Sequence, residues 1–171
     1  MIDNAADGFQ VLEQEKVITI IGKQYASQRI DDYIVSLKSS FRQIDEHIIL
    51  DLKINDCTSS VPINRVAKEI VDIFNDSSQS FYQFSFLDYF SKDFPEKKLF
   101  IILKNPFFLS DQNEDITVVL KTRCLIEKIR FCENVFLVIS MVESEKSGFY
   151  DSYYTQVKSK YIDQTYKFWI T

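Results

Sequence analysis

The residues whose types could carry chemistry begin with Gly22-Lys23-Gln24-Tyr25-Ala26-Ser27-Gln28-Arg29, directly after an apolar run. A loop that cradles phosphates needs glycines so that backbone N–H groups can close on the anion. It also needs a lysine for the terminal phosphates and a hydroxyl for magnesium, in the frame GxxxxGK followed by Ser or Thr. Only the first glycine of that frame is kept. Ser27 stands at the second glycine, Gln28 at the lysine and Arg29 at the hydroxyl. Lys23 and Arg29 can attract an anion, helped by a helix N-terminus, but neither replaces the magnesium ligand. The other reading is that Gly22 simply ends a strand in a different α/β fold.

A nucleotide hydrolase also needs an acidic pair at the end of a neighbouring strand, one carboxylate for the metal and one to activate water. The third apolar run ends instead in Leu103-Lys104-Asn105-Pro106. A lysine repels the cation, and an asparagine takes no proton from water. The fourth run ends at Ser140-Met141, where Ser140 is the candidate polar sensor of a terminal phosphate. Degradation of phosphate loop, acidic pair and sensor together argues against ATP hydrolysis and against a bound nucleotide cofactor.

Other chemistry is thin. Three cysteines, Cys57, Cys124 and Cys132, and one histidine assemble no zinc set of the usual spacing. The thiols read as reduced, and Cys124 and Cys132 as apolar filler on a helix. The adjacent carboxylates Asp31/Asp32 and Asp45/Glu46 define no acid–base geometry and read as solvated surface.

The elements that must position these residues follow from hydrophobic pattern. Residues 1 to 14 show no regular apolar period and are expected to be a polar arm. Lys16 to Ile21, His47 to Lys53, Lys98 to Leu103, Asn134 to Ile139 and Thr165 to Ile170 are short apolar runs, the pattern of strands buried on both faces. Between them, Ser27 to Phe41, the stretch after Pro62, Ser80 to Phe90 and the segment from Ile116 to Ile129 repeat apolar residues at helical spacing. Asp31 and Asp32 are expected in the first turn of the first of these. Tyr150 to Lys160 is read as a further short helix. Alternating strands and helices predict a three-layer α/β sandwich on a five-stranded parallel sheet, with right-handed crossovers. Ligands then lie beyond the carboxyl ends of the strands, at Gly22 to Arg29, Lys104 to Leu109 and Ser140 to Glu143.

At 171 residues, 46% hydrophobic and 26% charged, the chain can bury a core without disulfides or metal and is read as one domain. Its 15 Phe and 9 Tyr exclude disorder, and the three Gly and three Pro exclude low-complexity classes. The net charge of −5 lacks the basic footprint of a free-standing nucleic-acid binder. No apolar stretch approaches the roughly 20 residues of a membrane span, and no secretory signal opens the chain. An intracellular protein without membrane contact is expected.

With the order of elements, the spacing of Gly22 to Arg29, the strand Leu99 to Leu103 followed by Phe107-Phe108-Leu109, and above all Val157-Lys158-Ser159-Lys160-Tyr161, the chain resembles the AAA+ domain of eukaryotic origin recognition complex subunits, most closely subunit 4. The resemblance runs from about Val17 to Ile170. It implies a P-loop NTPase-type sheet, a nuclear location, other origin recognition complex subunits as partners, and DNA contact only through that complex. Lys160 corresponds to the arginine that the family offers to a neighbouring subunit's nucleotide; with Lys158 it is the inter-subunit finger candidate. A lysine keeps the charge there but loses the bidentate fork. The resemblance also implies an AAA+-like domain over 15–171 without the family's helical lid and winged helix. Two alternatives stand beside this reading: a weak nucleotide binder using Lys23, Arg29 and Ser140, and a small α/β scaffold unrelated to P-loop proteins.

Overall fold

The computed structural model describes residues 5–53, 65–75, 83–104, 116–143 and 165–170. Helix α1 (Ala5–Glu15) leads into β1 (Val17–Lys23), and a 3-10 turn over Gln24–Ala26 joins it to α2 (Ser27–Phe41). Then come β2 (His47–Lys53), α3 (Arg65–Asn75), α4 (Ser85–Asp93), β3 (Lys98–Lys104), α5 (Ile116–Phe131), β4 (Val135–Glu143) and β5 (Tyr166–Ile170). The sheet has five strands in the order β2-β3-β4-β1-β5, and every pairing is parallel. This is the predicted α/β sandwich.

Both sheet faces are buried, which explains the unbroken apolar runs. Ile18, Ile20, Phe100, Ile102, Phe136, Val138 and Phe168 face α1 and α2. Val17, Ile21, Leu50, Leu52, Leu99, Ile101, Leu103, Leu137 and Ile139 pack on the opposite side with α3, α4 and α5. At the centre of the first layer, the Phe100 ring stacks on Phe41 at 4.1 Å and on Phe136 at 5.1 Å.

The expected polar arm is a helix instead. Leu12 of α1 is fully buried and Phe9 packs against Phe41 and Phe100. Val11, half-buried, packs beside them, so among the described residues three apolar side chains and a glycine carry the docking, too few to register as a period. Gly8 lies close against α2: a Cβ there would overlap the Tyr33 hydroxyl. Helix α1 ends with Lys16 in the left-handed region (φ 67°), its N–H donating to the Leu12 carbonyl at 2.8 Å. Glycine usually holds that position.

The Tyr33 hydroxyl is itself buried without a hydrogen-bond partner among the described residues. Burial, with a smaller push from Asp7, raises its pKa to about 12. A prediction follows from this contact. Gly8→Ala destabilises the fold by about 1–3 kcal/mol through overpacking, whereas Tyr33→Phe, which removes an unsatisfied hydroxyl, is neutral or stabilising. In the Tyr33→Phe background the alanine at position 8 is tolerated, and a double-mutant cycle on chemical denaturation reads the coupling. Because the folded-state pKa lies above the unfolded value, the wild type loses stability as pH rises from 10 towards 12. Tyr33→Phe removes that loss.

Two polar side chains fix the helices over the second layer. Glu69 of α3 accepts from the Ser85 hydroxyl at 2.9 Å and from the Phe86 N–H at 3.0 Å, so it caps α4, whose own N-cap residue Phe84 supplies no side-chain cap. Asn134 donates to the Phe94 and Lys97 carbonyls at 2.8 Å each and accepts from Ser91 at 2.7 Å, pinning the turn between α4 and β3.

Candidate functional site

In open α/β sheets the carboxyl ends of the strands are where ligands bind. Here that end carries Gly22 and Lys23 on β1, Lys104 on β3 and Ser140 on β4. The sequence places the end of β1 at Ile21, but the strand continues through Gly22 and Lys23, paired with Val142 and Glu143 of β4 on one side and, at Gly22, with Ile170 of β5 on the other. Only the three-residue 3-10 turn then separates the strand from α2. A glycine reads as a strand breaker from sequence; here it is required by close packing inside one. A Cβ on Gly22 would lie 2.8 Å from Ile30 Cδ1 and 3.0 Å from the Ile170 carbonyl oxygen.

The space above Gly22 is therefore filled by an isoleucine of α2. Ser27, Gln28 and Arg29 form the first turn of that helix and are exposed, with Gln28 donating to Asp32 at 3.0 Å. Asp31 and Asp32, expected in the first turn, fall in the second. Gly22→Ala is predicted to cost about 1–3 kcal/mol, seen as a Tm decrease of equal size with and without magnesium and ATP.

The segment Ser140 to Glu143, read from sequence as a loop, belongs to β4. Ser140 is buried inside the sheet, opposite Ile20 on one side and Lys104 on the other. Lys104, read from sequence as the first residue of the loop after the strand, is the last residue of β3. What the sequence missed is its partner. Asp51 of β2 lies 3.7 Å from the Lys104 ammonium and also holds Lys38 of α2 in a short ion pair. Where an acidic pair would sit on β3, this chain carries a cation on β3 and a carboxylate on β2. A polar residue within His47-Ile48-Ile49-Leu50-Asp51-Leu52-Lys53 was the available signal, but its partner is set by sheet register and cannot be read locally.

Among the described residues no three of His, Cys, Asp and Glu gather to hold a metal, and no helix is long and apolar enough to cross a membrane. Burial, and secondarily nearby carboxylates, raise the Cys124 and Cys132 thiol pKa values, so neither is an activated nucleophile. Asn105, Lys158, Lys160, Cys57, the Phe107 to Leu109 motif and the expected helix at Tyr150 to Lys160 lie outside the described residues.

No family model and no curated protein matches the chain. Solved structures do. A chain from the structure of Drosophila ORC bound to AT-rich DNA and Cdc6 is similar at 14% identity with a TM-score of 0.51, the match covering 96% of this chain and 51% of that one. C. elegans PCH-2 is similar at 11% identity with a TM-score of 0.50, covering 100% of this chain and 44% of that one. The chain thus spans about half the length of these neighbours. At such identities the likeness is one of fold: an α/β domain built on a five-stranded parallel sheet.

Proposed function

We propose that this domain is a catalytically inactive AAA+-type subunit of an origin recognition complex, acting through subunit contacts in the initiation of DNA replication. The observation that carries the inactivity is at Gly22: β1 runs straight through the place where a phosphate loop would open, and Ile30 fills the space above it. Lys104 at the tip of β3 adds a cation where magnesium would bind. The fold likeness to a chain of Drosophila ORC supports the complex, and the likeness to subunit 4 at Val157 to Tyr161 supports the more specific place within it. In this reading the partners are the other subunits, DNA is met only through the assembly, the location is nuclear, and no nucleotide cofactor is held. Lys160, with Lys158, is the residue offered to a neighbour.

The deciding experiment is a tagged pull-down from the native cell at moderate salt, with co-purifying chains identified by mass spectrometry. Recovery with origin recognition subunits at fixed stoichiometry is expected; recovery alone or with unrelated chains overturns the assignment in favour of an isolated α/β scaffold. A thermal melt with millimolar magnesium and ATP tests the inactivity separately. A ligand at 100 times its Kd would add about 2.7 kcal/mol, so an unmoved Tm is expected and a rise of several degrees makes the chain a nucleotide binder.

A further inference from the structure

The apolar seam between α2 and the sheet runs through Ile30, Ile34, Leu37 and Phe41 onto β1, β3 and β4. Towards the β2 edge it thins to Ile49, which is only partly buried, and the next residue on that face is Asp51. There the contact becomes electrostatic. Asp51 Oδ2 takes both Lys38, from the last turn of α2, and Lys104, from the tip of β3. One carboxylate thus ties together α2, β2 and β3.

The three side chains are 19%, 29% and 23% exposed for Lys38, Asp51 and Lys104, deep enough to strengthen the pairs over surface ones and open enough for salt to reach them. The other oxygen, Asp51 Oδ1, is buried and accepts no hydrogen bond among the described residues. Among the described residues the carboxylate is therefore compensated through Oδ2 alone, and loss of either lysine leaves it poorly satisfied.

We propose that Lys38, Asp51 and Lys104 form an electrostatic latch that holds the edge strand β2 against α2 and the tip of β3 and releases it as a local unit when the charges are screened or removed. The latch governs the carboxyl end from which the chain leaves β2 and β3. It is independent of which partners the domain has, because it rests only on contacts within this chain.

Native-state hydrogen exchange on the full chain tests it, comparing the wild type with Asp51→Asn at low salt and near 1 M salt, where the screening length falls to about 3 Å. In Asp51→Asn at low salt, amides of β2 are expected to exchange about tenfold faster, while those of β1, β4 and β5 stay within about twofold. High salt moves the wild type in the same direction and leaves the variant unchanged. An even rise over the whole sheet, or a wild type indifferent to salt, overturns the latch: the ion pairs then add only to global stability. Lys104→Met gives the same readout if Asp51→Asn does not fold.

Discussion

Ile101→Asp is expected to abolish the cooperative thermal transition, leaving a chain without native near-ultraviolet circular dichroism at 25 °C. Ile101 is fully buried at the middle of β3, between Leu50 of β2 and Leu137 of β4, and its side chain faces the layer of α3, α4 and α5. Its neighbours there are hydrocarbon. A carboxylate placed among them keeps its charge at a cost of many kcal/mol or takes up a proton and still lacks a partner. Either outcome consumes most of the roughly 5–15 kcal/mol by which a domain is stable. Ile101→Val, which only trims a methyl group, is the control at about 1 kcal/mol. A normal melt for the aspartate variant would mean that the centre of β3 is not interior.

The second large effect belongs to the opposite face. Phe100→Ala is expected to cost about 3–5 kcal/mol, and at this chain length to lower Tm by roughly 10 °C. The ring stacks nearly parallel to Phe41, with 4° between the planes, and also contacts Phe136 and, at 6.4 Å, Phe9. Its removal leaves a cavity with rigid aromatic walls from three other elements, so the surroundings collapse poorly. Phe9 is the outermost of those walls. The variant should therefore also loosen α1, and limited proteolysis should cut near the N-terminus before the rest of the chain. Uniform resistance would mean that α1 docks through Leu12, Val11 and Gly8 alone.

The sheet was legible because burial on both faces leaves a signature that needs no partner: five runs of β-branched and large apolar residues. Helix α1 was not, because its docking uses Leu12, the half-buried Phe9 and Val11, and the absence of a side chain at Gly8, and an absent side chain gives no period. The site divides in the same way. Loss of the phosphate-loop residues can be read one position at a time, and Lys104 lies at the tip of β3, one residue inside the strand rather than in the loop after it. The extension of β1 through Gly22, the seat of Ile30 above it and the turn of Lys104 towards Asp51 all depend on contacts across the fold. Each is set by register or by helix placement, which local pattern does not encode.

The two outer strands of the sheet differ in what they offer another chain. Along β2, Asp51 points inward with its lysines, and an inward charge penalises any added strand that would slide into register there. Among the described residues β5 pairs with β1 alone; it is five residues long and displays Tyr166 and, at 54% exposure, Trp169. Growth of the sheet is thus disfavoured at one end and invited at the other. In concentrated solution or during refolding, unwanted self-association should therefore be directional and begin at β5, which makes Trp169 fluorescence its natural reporter.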